Sequence, residues 1–153
     1  MLVPITEEKI LSLQKDEIRE FIASAEKALN EYEGEKLEIT PAHHFSKGVY
    51  AREISIPKGS VVIGKIHKFQ NLNILSKGKL LLLSIDGGQI VEAPFTVVSS
   101  PGVKRLALAL EDSIWTTIHG TDETDVEIIE EKFIAKTYAD VPALETEEVK
   151  WLG

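Results

Sequence analysis

The chain contains no cysteine and a single methionine, and aromatic residues make up only 7% of its 153 residues. Without cysteine there is no disulfide and no thiolate chemistry, which fits a reducing compartment. There is no long apolar run either. The longest unbroken stretch of large aliphatics is Leu80-Leu81-Leu82-Leu83, against the roughly 20 residues a membrane-spanning helix needs. Met1-Leu2-Val3-Pro4 leads straight into acidic residues, with neither the basic nor the apolar segment of a secretory signal. The expectation is a cytoplasmic protein without a membrane segment. Basic charge is also in deficit, with 17 Lys and Arg against 25 Asp and Glu and a net charge of −8. That balance speaks against direct nucleic-acid binding. No Gly-x-Ser-x-Gly elbow, phosphate-binding glycine loop or dinucleotide fingerprint occurs.

What is present suits one globular domain, with 43% apolar residues. Its charge is unevenly spread. Residues 1–40 carry a net −5 and residues 120–153 a net −7, whereas residues 41–119 hold nine Lys or Arg against five Asp or Glu. Solvated helices account for the acidic ends, and only the middle offers an anion a positive field. Ile18, Phe21, Ile22, Ala25, Ala28, Leu29 and Tyr32 recur at helical spacing, with a helix start at Thr6-Glu7-Glu8, a break near Lys15-Asp16 and a stop at Gly34. After Pro41 the pattern turns to short alternating strands: 49–56, 60–68, 72–75, 79–85, 89–93, 95–99, 103–110 and 113–119. Strands so closely spaced predict an antiparallel barrel or sandwich, with the helix lying on its outside. Thr124-Asp125-Val126-Glu127 reads as a capping box opening an acidic helix with Ile128, Ile129, Phe133 and Ile134 on its apolar face. Trp151 in the tail is expected to pack.

Gly59, His67 and Gly78 stand at three positions of a motif typical of cupins, and this stretch resembles the first cupin motif. Lys65 stands where that motif has its first His and Asn71 where it has its Glu. Ser99-Ser100-Pro101-Gly102 resembles the turn opening the second motif, but Arg105 stands near the position expected for its His. The resemblance implies a mainly β, cupin-like antiparallel barrel of jelly-roll type over 41–119. A helical segment precedes it in 1–40, and an acidic helix and tail follow in 120–153. The chain is also similar to a family of small cupin-like proteins of tailed bacteriophages. That likeness lies in His43 to Glu53, Asn73 to Gly78 and Glu111 to His119. It implies a protein working in the host cytoplasm.

Period-two alternation places Ile63, Lys65 and His67 on one strand face. Asn71 and Asn73 share another, as do Arg105, Val103, Ala107 and Ala109, and Ser113, Trp115, Thr117 and His119 share a fourth. With the cupin motifs placed around one cavity, the expected ligand-binding residues are Lys65, His67, Asn71, Asn73, Arg105, Trp115, Thr117 and His119. Arg offers a planar fork of donors for phosphate or carboxylate, Trp a stacking face, and Asn both donors and acceptors. The expected partner is a small anionic ligand of nucleotide-like character. The competing reading pairs Lys65 and Arg105 with Glu53, Glu92 or Glu111. No catalytic residue, cofactor or metal is expected, since a mononuclear cupin metal takes about three His and a carboxylate. Were a metal bound, His67 and His119 would hold it. His43 and His44 are expected in a surface loop before the first strand.

Three functions from different classes follow. The first is a non-catalytic binding protein, sequestering a host signalling nucleotide if the phage likeness extends to function. The second is a metal-dependent cupin isomerase or dioxygenase. The third is a structural virion or assembly protein. Exposed strand edges and the amphipathic helix point to a homodimer or small homo-oligomer.

Overall fold

The structure, a computed structural model, describes residues 5–141. It begins with two helices, α1 (Glu7–Ser12) and α2 (Lys15–Glu31). The Thr6 hydroxyl caps α1 by accepting from the Lys9 N–H at 3.1 Å. The break between the helices falls at Leu13-Gln14, where the Glu17 carboxylate accepts from the Gln14 N–H at 2.9 Å and starts α2.

The strands follow: β1 (Ala42–Ser46), β2 (Val49–Ile56), β3 (Val61–Ile63), β4 (Ile66–His67), β5 (Asn71–Lys77), β6 (Lys79–Ser84), β7 (Gly87–Glu92), β8 (Phe95–Ser99), β9 (Leu106–Ala109) and β10 (Ser113–His119). Helix α3 (Val126–Phe133) and the short β11 (Ile134–Ala135) complete the order before a single 3-10 turn at Tyr138–Asp140. One sheet runs β1-β2-β10-β5-β8 and a second β3-β9-β6-β7, while β4 pairs with β11. Without β1, β4 and β11, eight strands remain. Numbered one to eight along the chain, their sheets read 1-8-3-6 and 2-7-4-5. This interleaving of early and late strands is the jelly roll of the cupins. The expected barrel is therefore an open pair of facing sheets whose edges do not join.

The run Leu80 to Leu83 lies in a strand covered on both faces, which is why it does not alternate. Leu80 and Leu82 point between the sheets, against Ile54, Ile56, Leu75, Ala107 and Ala109. Leu81 and Leu83 point outward and are covered by Ile10, Ile18, Phe21, Ile22 and Ala25 of the two helices. The amphipathic helix thus packs on the outer face of the four-stranded sheet. Gly78 joins β5 to β6 with φ +91, and a Cβ there would run into the Asp112 carbonyl oxygen. Only glycine fits that corner.

Several local expectations change. The strand expected over 60–68 breaks at Gly64-Lys65, between β3 and β4. His43 and His44 lie in β1, a fully exposed edge strand, not in a loop. Asp125, not Thr124, caps α3, its carboxylate accepting from the Glu127 and Ile128 N–H groups at 3.0 and 3.4 Å. Ile128 is exposed, and Ile134 leaves the helix for β11. Leu144, Val149, Trp151 and Leu152 of the tail lie outside the described residues. No helix among the described residues is long and apolar enough to cross a membrane.

Candidate functional site

Between the two sheets lies a cavity of about 220 Å³. One buried water needs roughly 10–15 Å³, so this is room for a molecule and not a packing defect. Lys65, His67, Asn71, Asn73, Arg105, Trp115, Thr117 and His119 all border it.

Strand register arranges the lining in layers. His119 lies opposite Tyr50, and Asn71 opposite Ser99. Next, Thr117 lies between Arg52 and Asn73. Beyond them Trp115 lies between Ile54 and Leu75, and Leu75 opposite Phe95. On the facing sheet Arg105 precedes Ala107, which pairs with Val62 and Leu82. The cavity is therefore polar towards α3 and apolar towards Trp115, Ile56 and Leu80.

The polar half is organised by one hydrogen-bond chain. Thr117 Oγ1 donates to Asn73 Oδ1 at 2.8 Å, and Asn73 Nδ2 donates to Asn71 Oδ1 at 2.8 Å and to Ser99 Oγ at 2.6 Å. Arg105 donates a guanidinium N–H to the same Ser99 Oγ at 2.7 Å. Ser99 Oγ thus accepts twice, which leaves its own O–H free to donate. His67 Nδ1 and His119 Nε2 lie 3.2 Å apart with their rings stacked, and His119 stacks in turn on Phe133. His119 Nδ1 is buried without a partner among the described residues. A buried orphan acceptor is more readily borne than an orphan N–H. His119 therefore carries its proton on Nε2 and donates it to His67, whose own proton sits on Nε2. Arg105, Ser99 and His67 are then all left with hydrogen-bond donors to offer.

Burial holds His67 at a pKa of about 4, with His119, Arg52, Arg105 and Lys65 adding to the depression in that order. Burial also lowers His119. Both are neutral at pH 7. Unfolded histidines protonate near 6.5, so between that pH and about 4 the unfolded chain binds more protons than the folded one. Stability should be complete above pH 6.5 and decline as the pH falls towards 4. Urea unfolding at pH 7.0, 5.5 and 4.5 should show this decline, and His67→Gln should flatten it. Equal wild-type stability at pH 7.0 and 5.5 would contradict it. Burial lowers the pKa of Arg105, with Asp86 opposing, but a guanidinium remains charged.

Lys65 departs from expectation. Its ammonium lies at the mouth, 59% exposed, and pairs with Glu130 at 2.5 Å. The break at Gly64 causes this: Val62 points between the sheets and Ile63 packs towards the helices, and β4 then starts a new register in which Ile66 is buried against Ala135 and Val141. Glu53, expected as an alternative partner for these cations, pairs with His44. Among the described residues neither Arg105 nor Arg52 has a carboxylate within ion-pairing distance.

Four contributors escaped the sequence reading. Arg52 and Tyr50 share the inner face of β2 with Ile54 and Ile56, a parity that the alternation of 49–56 carries. Ser99 ends β8 facing inward. Glu130 left no such signal, because a helix distant in sequence delivers it. Among the described residues the lining sets Lys65, Arg52 and Arg105 against this one carboxylate.

Cupin folds often hold a metal, but the donor set here does not suit one. No group of three or more His, Cys, Asp or Glu side chains placed to hold an ion occurs among the described residues. His67 and His119 direct a nitrogen at each other, and three cationic side chains face His67. A divalent ion would meet repulsion and too few ligands.

The sequence matches no protein-family profile and no curated protein. Its structure is similar to KdgF from a Halomonas species, at 14% identity and TM-score 0.49 over 64% of this chain and 93% of that one. It is also similar to an RmlC-like cupin family protein with a double-stranded β-helix fold from Methanocaldococcus jannaschii, at 18% identity and TM-score 0.44 over 60% and 89%. A third similarity is to a cupin-2 domain protein from Shewanella frigidimarina, at 15% identity and TM-score 0.46 over 57% and 85%. Likenesses this distant say nothing about chemistry, and the jelly-roll assignment stands on the strand order.

Proposed function

We propose that this chain is a small-molecule-binding protein whose cavity takes an anionic ligand with a compact apolar or aromatic part. The observation that carries this reading is Arg105, part-buried in the cavity, bonded only to Ser99 and without an ion-pairing carboxylate among the described residues. Keeping a cation there is costly unless an anion completes it. The donors left over on Arg105, Ser99 and His67 fit an acceptor-rich head such as a carboxylate or phosphate. The apolar layer around Trp115 and Ile54 fits the rest of the ligand. A nucleotide meets both demands, and sequestering a host signalling nucleotide is a narrower form of the same reading, supported only by the sequence likeness to phage proteins.

Two fluorescent probes test the reading. They are 1-anilinonaphthalene-8-sulfonate and N-phenyl-1-naphthylamine, which share a ring system and differ in the sulfonate. The sulfonate should bind more tightly, and added salt should weaken its binding more than that of the neutral probe. Equal affinities with equal salt dependence would remove the anion from the proposal. Stoichiometric metal in protein purified from cells would favour the metal-enzyme reading instead.

A further inference from the structure

Glu130 is the one carboxylate that borders the cavity among the described residues. Helix α3 holds it at the mouth. Ile129 and Phe133 of that helix pack on Tyr50, Lys68 Nζ donates to the Glu131 carbonyl at 3.1 Å, and the Lys68 N–H donates to the Phe133 carbonyl at 2.7 Å. From there Glu130 Oε1 meets Lys65 Nζ at 2.5 Å, and this pairing, helped by the charge of Arg52, holds its carboxyl below the usual range. Both partners are about half exposed, at 59% and 53%. An ion pair so open to water adds little to stability, so holding the fold together does not explain its position.

We propose that Glu130 is a charge gate, an internal anion that occupies Lys65 at the mouth and that an anionic ligand must displace. The proposal rests on the reading that the cavity binds an anion. It makes Glu130 and Lys65 the residues that set how strongly the site favours negative charge. Lys65 serves the bound ligand only after it has let go of Glu130. While that pair is closed, Arg52 is the lining cation left at the entrance among the described residues, with Arg105 deeper inside. Neutral ligands have no claim on Lys65 and pass without regard to the gate.

The test uses the full chain and the same two probes. Glu130→Gln should raise the affinity for 1-anilinonaphthalene-8-sulfonate about three- to tenfold, the scale of one partly screened charge. N-phenyl-1-naphthylamine should bind unchanged. Competition makes a second demand. Lys65→Met should cost little sulfonate affinity in the wild-type background, where Lys65 is already held, and about three- to tenfold in the Glu130→Gln background. Glu130→Ala serves as a second variant should the glutamine form fold poorly. No gain in sulfonate affinity, an equal gain for both probes, or an equal cost of Lys65→Met in both backgrounds would each overturn the gate. Arg105→Ala separates the two proposals: if it weakens sulfonate binding while Glu130→Gln does nothing, the anion site stands and the gate falls. A wild-type protein that binds neither probe overturns both.

Discussion

Leu81→Ala should destabilise the protein by about 2–5 kcal/mol, the cost of opening a cavity where a leucine is fully enclosed. Leu81 has no exposed surface and sits between the four-stranded sheet and the two helices, beside Leu83, Leu106, Ile18 and Ile22. Those helices touch the sheet mainly through this cluster, so the lost contacts have no substitute nearby. A loss of this size is a large part of the roughly 5–15 kcal/mol that holds a typical domain folded. Ile90 supplies the control. It is the direct cross-strand partner of Leu81 but is 42% exposed, so Ile90→Ala should cost about 1 kcal/mol or less. Urea unfolding with the slope held constant would compare them. Equal costs would mean that the helices do not cover this face in solution.

Arg105→Ala should weaken binding of 1-anilinonaphthalene-8-sulfonate by about 1.5–3 kcal/mol, the range for a hydrogen bond to a charged group, or roughly 10- to 150-fold. The fold should survive. Among the described residues the guanidinium makes a single side-chain hydrogen bond, to Ser99, which keeps its other partner Asn73 when the arginine is gone. Removing the charge also relieves its repulsion of Arg52 and Lys65. Unfolding of the variant, or unchanged sulfonate affinity in a folded variant, would make Arg105 a structural residue and end the anion-site reading. Arg105→Lys should recover only part of the affinity, since an ammonium keeps the charge and loses the planar fork.

Much of the site was legible because strands obey a period of two. Arg105 with Ala107, Asn71 with Asn73, and Trp115 with Thr117 and His119 were placed on shared faces from alternation alone, and each set borders the cavity. Lys65 also borders the cavity, but at its mouth, because Gly64 interrupts the strand and restarts the register. The cupin-like signals at Gly59, His67 and Gly78 pointed to the right architecture. Lys65, Asn71 and Arg105 stand at motif positions where a cupin carries His or Glu, and all three border the cavity. The amphipathic stripe of α2 was equally plain, because a helix that buries one face must repeat its apolar residues at 3.6.

The sequence by itself determined the mainly β class, the helix that packs on it and eight of the residues that border the cavity, Arg105 and Lys65 among them. These follow from local periodicities and from charge, both of which can be read within one segment. Only the tertiary structure decided that the sheets remain unjoined, that His67 and His119 meet nitrogen to nitrogen, and that Asn73 links Ser99, Asn71 and Thr117. It alone placed Glu130 against Lys65, across 65 positions of chain. No local pattern encodes such pairings, because they depend on how strands distant in sequence stack and on where a helix outside the sheets comes to rest.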